Sequence, residues 1–597
     1  MVLVPLRKKG IPAVVTRIQN ITGQKMAIRK ADFELRAILK IISAEPILDK
    51  KQLELAKWIS EYYWAPLGAV IKTMIPDKKQ LTINIKQLTK TKQILILAPE
   101  ISMAERLVGQ YNSEGTAILH SGLTDKQYFE NWLKIKTGEA KTIIGTRLAL
   151  LAPFVNLEKI IIEDEHSPNY KSQQTPRLHA RETAMKLTEL WNAKITFKSS
   201  TPSIEAQWLA ESKKIKLTSS SPQMRGDALK GRRGADAHNT IIDLRQELKN
   251  GNFSIFSRQL QEKIKIALVE KKQILLFINR RGSSTVLMCR DCGHIPKCPN
   301  CDAPLVYHLT PIKFLCHHCG YSEIPPSLCP NCRGTRIKFF GTGTQKVEAE
   351  FKKLFSAAKS KRLDSDIVKD EKTRQQITDD FLNKKYDVLI GTQMALNTLE
   401  AGSLVSKRPG IPLVAMMIAD TLLHLPDFRS NERTFQIISQ LKNLAAENFI
   451  LQTYSPENQA IKYTIEGDYK KFYGEEIEAR KELSYPPFSQ LVKLEYQHKD
   501  ANKAEQQAKI LAEKLKQQIA VNSKQLTNKE NPNTNLLSIT ILGPSPAFIS
   551  KVAGKYVWQT MLKCQSRIAY RESEYLKIRN KILQIIPPDW IVDVDPL

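Results

Sequence analysis

Four C-x-x-C pairs lie within one segment of the chain and constrain its fold more than any other feature. They are Cys289/Cys292, Cys298/Cys301, Cys316/Cys319 and Cys329/Cys332, eight of the nine cysteines. Each such turn lets two thiolates face one tetrahedral metal ion, and two turns complete a closed site. Clustering of this kind favours metal binding over a disulfide scaffold. We therefore expect two structural zinc ions, each held by four cysteines, with no open position for catalysis.

Loop lengths favour a nested pairing of these cysteines. The gap between 292 and 298 is short, whereas 302–315 is long enough for a small hairpin. The outer set would then be Cys289, Cys292, Cys329 and Cys332, and the inner set Cys298, Cys301, Cys316 and Cys319.

Three glycines shortly after the pairs suit the tight backbone of zinc knuckles. They are Gly293, Gly320 and Gly334. With eight thiols available, nearby histidines are expected to be bystanders that could substitute as ligands: His294, His308, His317 and His318. The remaining cysteine, Cys564, is expected to be a buried and inert thiol.

Elsewhere, short apolar runs alternate with helix-like segments, and each run ends in polar, Gly or Pro residues. This alternation predicts an α/β fold with buried parallel sheets. Functional residues of such folds lie where the strands end. The runs are "QILILAP" (93–99), "TIIGTR" (142–147), "KIIIED" (159–164), "ITFKSSTPS" (195–203), "QILLFINRRG" (273–282), "DVLIGTQM" (387–394), "LVAMMIAD" (413–420) and "FILQTY" (449–454).

The formal net charge of +29 over 597 residues indicates a polyanionic partner, and nucleic acid is the first candidate. A proteome rich in lysine would give the same charge without such a partner. The length predicts several domains. No apolar run approaches the roughly 20 residues of a membrane helix, and "MVLVPLRKKG" lacks the apolar segment of a secretion signal. We expect a cytoplasmic monomer without a membrane partner.

The order of the motifs resembles that of one helicase family. The stretches that carry the resemblance are "HSGLTD" (120–125), "IIGTRLALLAPFVNL" (143–157), "EDEHSPNYKSQQTPRLHAR" (163–181), "STPSIEA" (200–206), "LLFINRRG" (275–282), "GTGTQKVEAE" (341–350), "LIGTQM" (389–394) and "LPDFRSNERTFQ" (425–436). Together with the cysteine spacing, they are similar to the PriA family of replication restart proteins. Members of that family are superfamily 2 DNA helicases with a double-zinc module inserted in the second motor lobe.

Both ends of the chain also resemble this family. "ELAKWISEYYWAPLG" (54–68) is similar to the end of its N-terminal DNA-binding domain, although 2–18 matches only the middle of the part that binds a DNA 3′ end. "LSYPPFSQLVKL" (483–494), "GPSPAFISKVAGKYVWQTMLKC" (543–564) and the final "VDVDPL" resemble its C-terminal domain.

The resemblance implies a multidomain α/β protein with two RecA-like motor lobes, and it supports the nested cysteine pairing. The implied parts are a truncated N-terminal DNA-binding domain at 1–76, a remnant first lobe at 77–218, a linker at 219–240, a second lobe at 241–462 that carries the zinc insertion at 289–332, and an α+β C-terminal domain at 463–597.

The phosphate-binding loop of an ATPase is missing from its expected place. Such a loop reads G-x-x-x-x-G-K-[ST]. The only Gly-Lys dipeptide is Gly554-Lys555, far from the motor strands. Only 77–92 separates the N-terminal domain from the run at 93–99. That stretch is too short for the strand, loop and helix of the site, so the first lobe is expected to be truncated.

Two further departures concern magnesium and the transferring phosphoryl group. The family's D-E-E-H reads Glu163, Asp164, Glu165 and His166. The longer first side chain fits near-octahedral magnesium poorly. No arginine occurs between Arg433 and Arg480, so the arginine that would stabilise the phosphoryl group is absent. We interpret 163–166 as a relic and expect neither a catalytic residue nor ATP and Mg²⁺ as cofactors.

Seven residues are candidate DNA contacts. Arg147, Arg280 and Arg281 lie at strand ends and suit phosphate groups, unless they form surface salt bridges. The stretch with Lys551, Lys555, Tyr556 and Trp558 interleaves cations with aromatic rings, a combination suited to stacking on splayed bases. Alternatively, its two rings lie inward on a strand.

The function predicted from these observations is replication restart without a helicase activity of its own. Such a protein would bind stalled or branched forks and promote assembly of the primosome that reloads the replicative helicase. Its partners would be forked DNA, primosome proteins and the replicative helicase or its loader. One alternative is an active ATP-dependent 3′→5′ DNA helicase of the same family. The other is a zinc-dependent adaptor that binds RNA or protein.

Overall fold

The structure is a computed structural model that describes most of the chain. The described residues are 2–6, 9–13, 40–41, 46–76, 91–111, 115–219, 237–279, 286–300, 304–309, 312–317, 319–340, 343–405, 410–425, 427–526, 537–566 and 572–596. Within them, no helix has both the length and the apolar character needed to cross a bilayer.

The N-terminal region combines a small antiparallel sheet with two helices. The strands, in the spatial order β2-β1-β3, are β1 (Val2–Leu6), β2 (Lys9–Ala13) and β3 (Lys40–Ile41). The helices are α1 (Lys50–Tyr62) and α2 (Leu67–Met74). A capping box begins α1, since the Asp49 carboxylate accepts from Gln52 N at 2.7 Å and the Gln52 side chain accepts from Asp49 N at 2.8 Å.

The first lobe is built on a continuous six-stranded parallel sheet in the order β5-β6-β4-β7-β8-β9. Its strands are β4 (Gln93–Leu97), β5 (Thr116–Leu119), β6 (Thr142–Gly145), β7 (Leu157–Ile162), β8 (Lys194–Ser199) and β9 (Lys216–Ser219). Its helices are α3 (Ile101–Gln110), α4 (Asp125–Thr137), α5 (Ala180–Trp191) and α6 (Ile204–Glu211). The last two strands pair directly, with Thr196 opposite Lys216, so the described sheet has no gap.

The second lobe contains another six-stranded parallel sheet, in the order β10-β20-β19-β11-β18-β17. Its strands are β10 (His238–Asp243), β11 (Ile274–Phe277), β17 (Ser360–Leu363), β18 (Val388–Gly391), β19 (Ile411–Met416) and β20 (Ala445–Thr453). Its helices are α7 (Leu244–Lys249), α8 (Arg258–Val269), α9 (Thr344–Leu354), α10 (Glu371–Leu382), α11 (Gln393–Val405), α12 (Asp420–Leu423), α13 (Ser430–Leu444), α14 (Gln459–Glu466) and α15 (Tyr469–Glu482).

The cysteine segment forms a separate antiparallel sheet between β11 and β17. In the order β15-β14-β13-β12-β16 it comprises β12 (Val286–Cys289), β13 (Val306–Leu309), β14 (Ile312–Leu315), β15 (Ser322–Glu323) and β16 (Ile337–Phe340). We call 286–340 the zinc module.

The C-terminal domain is an antiparallel sheet with two helices. In the order β22-β23-β21-β24 it comprises β21 (Gln490–His498), β22 (Leu537–Val552), β23 (Lys555–Ser566) and β24 (Ile591–Val594), with α16 (Ala501–Leu526) and α17 (Ser573–Leu583).

The observed elements agree with the predicted alternation of strands and helices. Each of the eight apolar runs contains a parallel strand. The expected boundary at 463 would assign α15 to the C-terminal domain, but Tyr469 and Phe472 of this helix pack in the core of the second lobe. Of the expected linker at 219–240, residues 220–236 lie outside the described part of the chain.

One hydrophobic core joins the N-terminal helices, the first lobe and the C-terminal domain. Ile59, Leu150, Leu494 and Tyr575 all belong to it. Buried polar contacts reinforce the same junction. Lys171 Nζ lies 2.9 Å from the Asp593 carboxylate, and the hydroxyl group of Tyr62 donates to Asp595 at 2.9 Å. The final strand is therefore tied into the first lobe, although it follows that lobe by several hundred residues.

Candidate functional site

The outer cysteine set converges on one point. The Sγ atoms of Cys289, Cys292, Cys329 and Cys332 all lie within 4.8 Å of one another. Two of the separations, from Cys289 to Cys332 and from Cys292 to Cys329, are 3.6 Å. Four sulfurs at ~2.3 Å from a tetrahedral zinc ion would be ~3.8 Å apart, so this donor set fits zinc.

The inner set shows the same convergence for the cysteines that the structure describes. Cys298, Cys316 and Cys319 cluster, with Sγ atoms of Cys298 and Cys319 separated by 3.5 Å. Cys301 lies outside the described residues, as does His318. The described sulfurs are again spaced as a tetrahedral thiolate site requires.

The other histidines of the module make structural contacts. His317 Nδ1 lies 2.6 Å from the carbonyl oxygen of Pro546, and its Nε2 lies 3.1 Å from His308 Nε2. His294 contributes its backbone carbonyl, which accepts from Cys289 N at 3.0 Å. The two metal clusters in the described residues consist of cysteines alone.

Both knuckles are anchored at glycines with positive φ. Gly293 has a φ of +78°, and a Cβ there would meet Tyr454 O of the second lobe at 2.4 Å. Gly320 has a φ of +80°, and its Cβ would meet Pro544 O of the C-terminal domain at 3.0 Å. Gly334 differs, because the preceding Arg333 takes the positive φ, of 57°. At Gly334 a Cβ would instead lie 2.3 Å from the Asp291 carboxylate.

The acidic stretch after β7 has its side chains already engaged within the first lobe. Glu163 pairs with Lys198 at 2.6 Å. Glu165 accepts from the backbone N–H of Ser203 at 2.6 Å and from its hydroxyl group at 2.9 Å. Asp164 adopts a positive φ of 46°. Two of the three carboxylates are thus held by protein donors.

Burial controls protonation in this stretch. Burial, together with the carboxylates of Glu163 and Glu100, raises the pKa of Asp164 to about 7. Burial likewise raises the pKa of Glu165 to about 7, although Arg181 and the Ser203 hydrogen bonds oppose it. Burial lowers the pKa of His166 to about 4, so this imidazole is neutral at physiological pH.

His166 and Glu100 connect the first lobe to the second. His166 Nδ1 lies 2.7 Å from Ser199 Oγ, and its Nε2 lies 3.2 Å from the side-chain nitrogen of Gln440 on α13. The Glu100 carboxylate accepts from the side-chain amide of Asn397 on α11 at 2.8 Å. Side chains of the two lobes therefore meet directly beside the acidic stretch.

A buried ionic cluster forms the centre of the interlobe contact. Arg480 Nη2 lies 2.6 Å from Glu432, and its Nε lies 2.9 Å from Glu476. Glu205 of the first lobe pairs with Arg429 at 2.8 Å and lies 3.5 Å from Arg480. The Arg480 side chain is only 2% exposed. We call these five residues the interlobe cluster.

Mutual attraction outweighs burial in the interlobe cluster. Burial alone would lower the pKa of Arg480, but Glu432, Glu205 and Glu476 together raise it. Burial would raise the pKa of Glu205, but Arg429, Arg181 and Arg480 hold it below its usual value. None of the sequence motifs described above indicates this cluster. Its only signals were a glutamate in "STPSIEA" and charged residues in "LPDFRSNERTFQ".

The candidate DNA contacts have different environments. The Arg147 guanidinium is half-buried and donates to the carbonyl of Asn169, and burial lowers its pKa. Arg280 and Arg281 lie outside the described residues. Lys551 and Lys555 are exposed, and Lys551 Nζ lies 4.9 Å from the Tyr556 ring centroid.

Trp558 differs from these residues because it packs against the large hydrophobic core. The alternative that this ring lies inward therefore applies to Trp558. Tyr556 is half-buried, and the Lys551 ammonium lies over its ring.

Comparisons with known proteins link these features to one family. A family model described as the PriA 3′ DNA-binding domain matches residues 1–76. Another, described as the PriA DNA helicase Cys-rich region domain, matches 298–323. The primosomal protein N C-terminal domain matches 481–597. Among solved structures, a Saccharomyces cerevisiae Dbp5 variant bound to RNA and ADP BeF3 is 11% identical, covers 73% of this chain and 97% of its own, and has a TM-score of 0.33.

Curated relatives match along most of the chain. Replication restart protein PriA of Borreliella burgdorferi is 31% identical, over 88% of this chain and 84% of the relative. That of Bacillus subtilis is 35% identical, over 84% of this chain. The chain spans only 59% of the Bacillus relative and 60% of the Synechocystis one. The matched domains and the extent of these alignments show that the chain belongs to the replication restart protein PriA family.

Proposed function

We propose that this protein binds branched DNA at stalled replication forks and promotes primosome assembly without a helicase activity of its own. One observation carries the proposal. The chain retains the DNA-binding, cysteine-rich and C-terminal domains of its family, yet its only Gly-Lys dipeptide lies in the C-terminal domain. The protein would act in the cytoplasm as a monomer, with forked DNA, primosome proteins and the replicative helicase or its loader as partners.

The interlobe contacts support the absence of ATP hydrolysis. An ATPase cleft needs a phosphate loop, a magnesium ligand and an arginine for the phosphoryl group. Here Glu163 is paired with Lys198, and His166 is in contact with Gln440 of the facing lobe. No arginine lies between Arg433 and Arg480, and Arg480 itself is surrounded by carboxylates. These features support the proposal that the protein binds no ATP–magnesium complex.

Zinc has a structural role in this proposal. The outer ion would be bound by Cys289, Cys292, Cys329 and Cys332, and the inner ion by Cys298, Cys301, Cys316 and Cys319. All ligand positions would then be filled by thiolates, so the ions hold the module rigid and take no part in catalysis. The candidate DNA contacts are Arg147, Arg280, Arg281, Lys551, Lys555 and Tyr556, with Trp558 as a core residue that supports them.

The decisive experiment measures ATP hydrolysis with and without forked DNA, alongside fork binding and strand separation in the same buffer. We expect fork binding with no hydrolysis above background and no strand separation. Hydrolysis that rises with DNA would overturn the proposal in favour of an active 3′→5′ helicase. Stronger binding to single-stranded RNA than to forked DNA at matched salt would favour the adaptor alternative, since salt alone shifts such affinities strongly.

A further inference from the structure

The hairpin formed by β22 and β23 ends in an exposed apolar tip. Residues 549–555 are all exposed. Ile549 is 66% exposed and Val552 is 43% exposed. Two exposed apolar side chains close together at one turn offer a small apolar surface to a partner. We call residues 549–556 the hairpin tip.

The turn at the tip is sharp and well defined. Val552 pairs with Lys555, and Lys551 pairs with Tyr556. Ala553 and Gly554 between them both have positive φ, 47° and 78°. Two successive positive φ values match a type I′ turn, whose twist suits a tight two-residue hairpin. The hairpin tip is therefore an ordered extension of the sheet.

The base of the tip is fixed to the inner zinc knuckle. The Ser545 hydroxyl group donates to His317 O at 2.8 Å, and the Gln559 side chain donates to the same oxygen at 2.7 Å. The ring of Phe548 lies edge-on to His317 with centroids 5.9 Å apart. These contacts hold the strand irregularity between Pro546 and Lys551, from which Ile549 projects. The zinc module therefore holds the base of the hairpin tip in place.

The charge of the hairpin indicates what covers the tip. Residues 537–566 contain Lys551, Lys555 and Lys563 and no aspartate or glutamate. Within the described part of the chain, Lys551 and Lys555 form no ion pair, and the Lys551 ammonium lies over the Tyr556 ring. Ile549 and Val552 thus lie close to lysines that have no carboxylate partner among the described residues. This combination suits a nucleic acid with an unstacked base, which offers both a flat apolar surface and negatively charged phosphates.

We propose that the hairpin tip is a wedge for a DNA branch point. Ile549 and Val552 cover the outermost base at the junction, while Lys551 and Lys555 contact the flanking phosphates. This inference rests on the proposed binding of branched DNA and names the part of the surface that distinguishes a fork from plain duplex. It requires no nucleotide hydrolysis, because the wedge only covers a base that the branch already exposes.

The test compares the double variant Ile549→Ser/Val552→Ser with the wild type. Each protein is titrated with forked DNA that carries 2-aminopurine at the branch and, separately, with plain duplex DNA. Ile266→Ser/Val269→Ser is a matched control, since these side chains on α8 are 44% and 83% exposed. We expect the tip variant to bind the fork about five- to tenfold more weakly, because covering a base contributes substantially to such binding. Its affinity for plain duplex should not change. The wild type and the α8 control should alter 2-aminopurine fluorescence, and the tip variant should not.

Lys551→Ala/Lys555→Ala provides an independent readout. Because each phosphate contact contributes about one unit to the salt slope, we expect the slope of log affinity against log salt to fall by about two. If the tip variant binds forks as tightly as the wild type and changes 2-aminopurine fluorescence to the same extent, the wedge proposal is wrong. The proposed binding of forks would be unaffected by that result. A wild type that shows no preference for forks would instead refute the proposed function. Equal thermal unfolding of all variants verifies that each is folded.

Discussion

Asp164 shows how one residue of the acidic stretch is adapted to its position. Its φ of 46° lies in the left-handed region, which asparagine and aspartate tolerate better than most side chains. Its carboxyl group has a pKa raised to about 7 by burial and by Glu163 and Glu100. A free aspartate titrates near pH 3.9. Between roughly pH 4 and pH 7 the folded chain therefore keeps a proton that the unfolded chain releases.

Asp164→Asn should remove this proton linkage without disturbing the backbone. The folded state binds more protons in this window, so the contribution of Asp164 to stability is present at low pH and is lost as pH rises towards 7. We expect the variant to be more stable than the wild type at pH 8 and to lose about 2 kcal/mol of that advantage by pH 5, since each pKa unit corresponds to about 1.4 kcal/mol. Urea unfolding at several pH values measures this difference.

Neighbouring groups make the comparison with the wild type necessary. Because the pKa of Glu165 is about 7, this group also makes the folded state less stable as pH rises. His166, with a pKa of about 4, gives the opposite slope, because its unfolded form takes up a proton first as pH falls. Both groups are present in the two proteins, so their effects largely cancel in the difference. If the difference in unfolding free energy between Asp164→Asn and the wild type stays constant from pH 5 to pH 8, Asp164 does not have a raised pKa.

At the scale of elements, the two zinc knuckles act as points of attachment. The outer knuckle contacts the second lobe through Gly293 and Tyr454. The inner knuckle contacts the C-terminal hairpin through His317 and Gly320. Removing the metal would leave clusters of thiols with nothing to hold the knuckles in shape.

Chelation should therefore unfold the module and release the hairpin. We expect two equivalents of zinc to leave with a strong chelator, a change in near-ultraviolet circular dichroism, and weaker fork binding. A metal-sensitive dye quantifies the zinc. Unchanged spectra and unchanged fork binding after complete metal removal would show that neither the module nor the hairpin depends on zinc.

A pair of glycine variants separates backbone strain from close packing at the outer knuckle. Gly251 has a φ of +81° and open space around its Cβ position, whereas Gly293 has a φ of +78° and Tyr454 O in the way. Gly251→Ala should cost ~1 kcal/mol through backbone strain alone. Gly293→Ala should cost about 2 kcal/mol more, because the added methyl group must push the knuckle away from the second lobe.

Urea unfolding measures the loss of stability in both glycine variants, and zinc release during unfolding reports in addition on the knuckle that contains Gly293. We expect Gly293→Ala to release zinc at clearly lower urea than Gly251→Ala. Equal release in the two variants would mean that the knuckle moves freely over Tyr454.

The sequence predicted these elements more completely than it predicted their contacts. The parallel strands and the cysteine knuckles depend on local patterns, such as the run 159–164 or the spacing of Cys316 and Cys319. The order of strands in each sheet and the support of the hairpin by His317 depend on residues that are distant in the chain. The carbonyl partner of His317 belongs to Pro546. No local periodicity encodes such a pair, so only the folded structure identifies it.

For the whole molecule, the interlobe cluster joins the two lobes through buried ion pairs. Glu205 belongs to the first lobe, and Glu432 and Arg480 belong to the second. Arg429 also donates to Pro596 O at 3.0 Å, which adds the end of the chain to the same junction. Further contacts cross the interface, since the hydroxyl group of Tyr469 donates to Pro202 O at 3.0 Å. Direct side-chain contacts thus join the two lobes, as the proposed scaffold requires.

Arg480→Met tests how much this junction depends on one cation. Methionine fills a similar volume but leaves Glu205, Glu432 and Glu476 without their shared partner in a buried site. Breaking a buried ionic network in this way typically costs about 3–5 kcal/mol. Arg433→Met is the matched control, because Arg433 is 29% exposed and, among the residues that the structure describes, forms an ion pair only with Asp427, at 2.7 Å. A single half-buried pair of this kind should cost less than the network, on the order of 1 kcal/mol, because solvent screens it in part.

Arg480→Met should therefore unfold at clearly lower urea than Arg433→Met. The distance between fluorophores attached to the two lobes should increase only in Arg480→Met. If the protein is the scaffold proposed above, adding ATP and magnesium should neither restore the distance in the variant nor change it in the wild type. A wild-type distance that responds to ATP would mean that the lobes still move as a motor. In that case the interlobe cluster would represent one state of a working cycle.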